Sequence, residues 1–211
     1  MLLPEQLSLL RTFGLTFHES LTQELLLDAT QLEWWHFSDP PFKMLLERLH
    51  PLDYDYTQKH GVRLTPLTTT LDLESYDGPT TYSRTAKLIA DMSGSLKQLK
   101  NIDEEMIVGK GRKAREGKGW IEYSFEDQDY RHEHPYLGDW IYGTTVIKMA
   151  VNLSAVEDGY QFYVRCDGQT ISLFYMLESK EQENRDALGF EPIAQYLQRL
   201  AGEDPAGETA V

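Results

Sequence analysis

His132-Glu133-His134 is the one cluster in this sequence with the types and spacing of metal ligands. Residues two apart on a strand project to the same face, so an H-x-H pair can offer both imidazoles to one ion. No third ligand stands at a matching distance along the chain, and Pro135 marks a strand end or loop. The segment therefore reads as an exposed polar loop, with no metal site. A second candidate is Gly109-Lys110-Gly111-Arg112-Lys113-Ala114-Arg115-Glu116-Gly117-Lys118-Gly119, five Lys or Arg against one Glu. Its glycines invite a phosphate-binding reading. The P-loop pattern fails, because Gly119 stands where Ser or Thr must ligate Mg²⁺ and Arg112 where the first Gly belongs. Gly109-x-Gly111-x-x-Ala114 fits the relaxed dinucleotide spacing, but Gly117 and Gly119 forbid the helix whose N-terminus would hold a pyrophosphate. The segment reads as a solvated, mobile hairpin loop, free to make salt bridges with an acidic partner or a second copy of the chain.

Other chemistries find less. Cys166 has no neighbouring His in the sequence and reads as a small half-buried residue before a turn. Neither a G-x-S-x-G element nor an H-E-x-x-H helix is present. Carboxylate pairs of the kind glycosidases use arise by chance among 34 acidic residues. No catalytic residue and no cofactor site is assigned. What remains is a surface for recognition: Glu126, Asp127, Asp129 and Tyr130 combine acids with a ring in an expected loop, and carboxylates reward bidentate arginines.

The elements that must position these residues can be read from periodicity. Residues 2–37 show helical spacing with a break at Gly14, and Asp39-Pro40-Pro41 stops that segment. A short helix is predicted over 42–49 and a polar aromatic loop over 50–61. Alternation among threonines predicts a strand over 62–75. Asp77-Gly78-Pro79 is a turn before a helix with Tyr82, Ala86, Ile89 and Met92 on one face. Strands follow at 102–108 and 119–126, then a helix over 143–157. Strands at 160–165 and 169–177 flank Cys166-Asp167-Gly168, a hairpin signal, with Ile171, Leu173 and Tyr175 alternating with Ser172 and Phe174. Helices at 179–188 and 192–201 close the chain. Trp34, Trp35, Trp120 and Trp140 are expected in the core. This is one α+β domain over 1–201, with a largely antiparallel sheet and flanking helices. Residues 1–60 form its helical N-terminal part, 61–201 its sheet-containing part, and 202–211 a flexible tail.

Composition narrows the partners. A net charge of −14 is repelled by phosphate backbones and anionic lipid, so a basic protein is expected rather than nucleic acid or membrane. The longest apolar runs span a few residues, against about 20 for a membrane helix. The start lacks the basic and apolar regions of a signal peptide, and the single cysteine suits a reducing cytoplasm.

Three stretches carry a resemblance. They are Leu71-Asp72-Leu73-Glu74-Ser75 with Tyr82 opening a helix, Asp139-Trp140 leading to a helix with Asn152, and Gln169 to Leu177 running into a Lys/Glu-rich helix and Leu188-Gly189. Over about residues 64–190 the chain resembles small cytoplasmic immunity proteins encoded beside bacterial polymorphic or type VI secreted toxins. That resemblance implies a non-enzymatic protein that binds and neutralises a cognate toxin, itself expected to be basic. A different binding or accessory module, and an enzyme whose site is assembled from residues distant in sequence, stay open, as does homo-oligomerisation.

Overall fold

A computed structural model describes residues 1–37, 42–108, 117–138, 140–154, 159–166 and 168–203. Its centre is the hairpin of β5 (Tyr160–Cys166) and β6 (Thr170–Leu177), paired antiparallel from Tyr160↔Leu177 to Cys166↔Ile171. β1 (Thr68–Asp72) adds to the free side of β6, and the two-residue β7 (Glu191–Pro192) to β5, giving the antiparallel order β1-β6-β5-β7. The predicted alternation holds: Ile171, Leu173 and Tyr175 enter one apolar cluster. The intervening Phe174 enters a second cluster with Met176 and Tyr163, so both faces of this sheet are covered.

Helices from before and after β1 cover those faces. The second cluster holds α1 (Leu3–Thr12), α2 (Gln23–Thr30) and α3 (Lys43–His60), through Leu7, Leu10, Leu26, Leu45 and Leu49. The first holds α4 (Thr81–Met92), α5 (Gly143–Asn152) and α7 (Ile193–Glu203), through Ala86, Ile89, Val146, Ile147 and Ile193. α6 (Glu181–Leu188) leads to β7. A second, three-stranded antiparallel sheet has the order β2 (Lys100–Val108), β3 (Gly117–Phe125), β4 (Gln128–Pro135). It lies against α4 and α5 and sends Ile121, Tyr123 and Phe125 into the first cluster. The protein is α+β, its sheets antiparallel and its N-terminal part helical.

Several expectations are corrected. The helical stretch of 2–37 divides into α1, α2 and a 3₁₀ turn at Trp34–Phe37. Residues 50–60 are helix and not loop, with Pro51 inside α3 and exposed. Leu52 and Asp53 are buried behind it, and Gly61 ends the helix at φ +71° with its N–H on the Thr57 carbonyl. The strand expected over 62–75 is confined to 68–72, because the Asp53 carboxylate takes the Leu64 and Thr65 N–H groups and Pro66 has none to give. α5 ends at Asn152, short of 157, and α7 continues through Gly202 and Glu203. Trp34 (53% exposed), Trp35 (56%) and Trp140 (38%) stay outside the core, which is built instead around Tyr82, Tyr123, Tyr163 and Tyr175. Asp39-Pro40-Pro41, residues 109–116 of the basic segment, Asp139, residues 155–158, Asp167 and 204–211 lie outside the described residues, and with them the proline stop and the mobile-loop reading. Gly117 to Gly119 open β3.

An acidic sheet face as the candidate binding site

The two faces of the three-stranded sheet have opposite chemistry because side chains alternate along each strand. Facing α4 and α5 are Ile121, Tyr123 and Phe125, flanked by Glu104 and Met106 of β2 and by Tyr130, His132 and His134 of β4. The other face is open. Its rows across the sheet are Asp103↔Glu122↔Arg131, Glu105↔Trp120↔Glu133 and Ile107↔Lys118↔Pro135, with Ser124↔Asp129 at the end. Trp120 thus sits between two glutamates, and Asp103 sits directly opposite Glu122, an arrangement that costs stability in a sheet.

One cation organises this surface. The Arg131 guanidinium lies 4.3 Å from the Trp120 ring centroid, 2.9 Å from Glu122 Oε2 and 3.9 Å from Glu133 Oε1. Among the described residues Asp103 and Glu105 have no cation within ion-pair distance. Asn101 Nδ2 donates to Ser124 Oγ (3.0 Å), which donates to Asp129 Oδ1 (2.7 Å), ordering the end of the face. A recess of about 340 Å³ opens there, lined by Asn101, Glu122, Tyr123, Ser124, Asp129, Tyr130 and Arg131.

The four residues proposed from the sequence fall on this hairpin without sharing one surface. The expected loop over 126–130 is only the two-residue turn Glu126-Asp127, both exposed. Their φ values of +48° and +63° make it the mirror-image turn that matches strand twist, built here without the usual glycine. Asp129 joins the acidic face. Tyr130 turns the other way: its ring stacks on Tyr123 at 5.5 Å and its hydroxyl donates to Gln128 Oε1 at 2.9 Å. Trp120, Asp103, Glu105, Glu122 and Glu133 were not singled out from sequence. The alternation Asp129-x-Arg131-x-Glu133 and Trp120-x-Glu122 was the available signal.

The inner face fixes the sheet in place. Glu104 reaches from β2 to the start of α4, accepting from Tyr82 N (3.3 Å), Ser83 N (2.8 Å) and Ser83 Oγ (2.8 Å), a helix cap supplied by a neighbouring strand. Burial raises its pKa, against the pull of those hydrogen bonds. The Tyr123 hydroxyl and the Asn152 amide both lie against His132 Nε2, at 3.0 and 3.2 Å. Burial, with Lys148 nearby, lowers the His132 pKa to about 4. His134 packs on the Tyr82 ring at 4.2 Å, with Nδ1 3.2 Å from the Pro135 carbonyl and its pKa lowered by burial. The exposed polar loop expected at His132-Glu133-His134 is instead part of strand β4: the two imidazoles share its inner face, His132 half-buried and His134 buried, and act as packing groups. No group of three or more potential metal ligands occurs among the described residues.

This arrangement can recognise cations: an indole between carboxylates, already carrying one guanidinium, on the open face of an antiparallel sheet. Among the described residues no helix is long and apolar enough to cross a membrane. No protein-family model matches the chain, and neither a curated protein nor a solved structure matches it.

Proposed function

We propose that the chain is a non-enzymatic immunity protein that neutralises a basic protein toxin by covering it with the outer face of the three-stranded sheet. The observation that carries this reading is the set of carboxylates held around Trp120. Opposed acids in neighbouring strands weaken a sheet, and an indole left half-buried at their centre has the composition of an interface anchor. Arg131 stacked on that indole is a local example of the group the face prefers. A net charge of −14 supports the same partner, since it accelerates encounter with a basic protein and repels nucleic acid. The resemblance of residues 64–190 to immunity proteins adds a biological setting in which an inhibitor needs only a rigid complementary surface.

The test is co-expression with the product of the adjacent gene, followed by calorimetry on the purified pair. A stable complex, with Trp120→Ala weakening it by at least about 2 kcal/mol, is the expected result. Protection of the host without any complex would reject direct inhibition. A complex indifferent to Trp120→Ala and Glu105→Lys would reject this face.

A further inference from the structure

A second surface lies on the other sheet. β1 is its long edge, since the opposite edge ends in the two residues of β7, one of them proline. The register to β6 decides which backbone groups are free. Tyr175 N–H donates to the Leu67 carbonyl and Leu73 N–H to the Gln169 carbonyl, so odd-numbered residues of β1 bond to β6. In an antiparallel ladder the even-numbered Thr68, Thr70 and Asp72 then direct N–H and C=O away from the sheet. The ends of this edge are closed: Arg63 Nη2 takes the Thr68 carbonyl at 2.9 Å, and Ser75 N–H takes the Asp72 carbonyl at 3.2 Å. Between them the N–H and C=O of Thr70 have no partner among the described residues.

That opening faces a groove of about 440 Å³. Pro51 of α3 walls the side of the sheet onto which Thr70 projects. Thr85 and Leu88 of α4 wall the side onto which Leu71 projects. Asp72 and Asp77 stand at the rim, against one cation, Arg84, which bonds Asp77 at 2.9 Å while both side chains are more than half exposed. An exposed pair of that kind is worth little and yields readily to a competing cation.

We propose that the β1 edge is a strand-addition site for an extended segment of a basic protein, bearing in chain order a Lys or Arg, an apolar residue and a small residue. Antiparallel pairing gives each a place. The small residue lies opposite Thr70, exchanges both backbone hydrogen bonds with it and fits beside Pro51. The apolar residue lies opposite Leu71 and packs along Thr85 and Leu88. The cation lies opposite Asp72, within reach of the rim carboxylates. Backbone bonds supply affinity and the alternating walls supply selection. This surface is separate from the acidic sheet face, and neither requires the other.

The probe is a labelled nine-residue peptide, acetylated and amidated, with the core Arg-Val-Ser between glycines, titrated into the full chain. Saturable binding is expected, with slowed hydrogen exchange at the Thr70 amide. Methylation of the peptide serine nitrogen, which removes the donor to the Thr70 carbonyl and alters nothing in the protein, should weaken binding at least about tenfold. Leu88→Glu should do the same, and Trp120→Ala should have no effect. No saturable binding up to about 1 mM would overturn the proposal. So would equal affinity of the methylated peptide, or protection appearing on β3 instead of Thr70. A concentration-dependent dimer of the chain alone, dissolved by Leu88→Glu, would assign the edge to a second copy and overturn it as well.

Discussion

Arg131, His132 and Glu133 follow one another on β4, yet alternation sends them to opposite faces and to opposite roles. Arg131 and Glu133 are part of the open acidic surface, while His132 is held neutral beneath it by burial, with its Nε2 against Tyr123 and Asn152. Neutrality has a pH signature. The folded-state pKa of His132 falls from 6.5 to about 4, and that of His134 falls too, so unfolding takes up protons in acid. The His132 contribution to stability is present above about pH 6.5 and is lost as pH drops toward 4, and His134 acts in the same direction. Urea midpoints measured between pH 7.5 and 4.5 should fall on acidification, and His132→Asn should flatten that fall. The turn Glu126-Asp127 offers a second test. Two non-glycine residues at positive φ store strain of order 1 kcal/mol or more, so Glu126→Asn with Asp127→Gly should raise stability by about 1–2 kcal/mol in thermal unfolding. The same exchange should slow association with a basic partner. Single residues were legible only where chemistry and period agreed: the H-x-H spacing placed His132 and His134 on one side, but neither their burial on a strand nor the outward place of Trp120 was readable. An indole on a half-covered sheet has the same local sequence as one in a core.

Helix α3 shows what a proline hides at the level of elements. Pro51 suggests an end to the helix, yet Leu45, Leu49, Leu52 and Tyr56 keep helical spacing past it, and Lys59-His60-Gly61 is a stop signal for a helix already under way. The stretch is kept helical by tertiary bonds that periodicity does not reveal. Asp53 is 3% exposed and accepts from Thr65 N–H at 2.9 Å, from Leu64 N–H and from Arg63 Nε at 3.0 Å. Asp53→Ala leaves the Arg63 Nε–H and two backbone N–H groups without their acceptor and the guanidinium without its buried carboxylate, so a loss of about 3–5 kcal/mol is expected by chemical denaturation. Asp53→Asn should cost less. The fully buried Gln6 joins the N-terminal elements in the same way, its Oε1 accepting from Phe42 N–H at 2.8 Å and its Nε2 donating to the Phe37 carbonyl. The β5–β6 hairpin needed no such long-range partner to be read, because apolar alternation on either side of Asp167-Gly168 is a local signal.

Across the whole molecule the two apolar clusters share one sheet. Leu173 belongs to the first and Phe174 to the second, although they are adjacent residues of β6. Loss of either cluster exposes a face of the same strands, so the chain should unfold in a single transition. Leu173→Ala and Phe174→Ala should each cost about 2–5 kcal/mol, and near- and far-ultraviolet circular dichroism should report the same midpoint for both. Resolved transitions would mean that the clusters are independent. The fold class was readable because hairpins and helices each leave local patterns. That one sheet serves both layers was not, because it depends on β1 pairing with β6, where Thr70 meets Ser172 across 102 positions. The separation has a cost in time. At about 5–20 residues per second, a ribosome needs roughly 5–20 s to make the chain between those strands. Throughout that interval helices α1 to α3 are complete while the sheet on which they dock has not been made. The nascent protein must therefore carry an uncovered leucine-rich surface until its last third emerges, and chaperone demand should be set by the order of synthesis rather than by the stability of the finished fold.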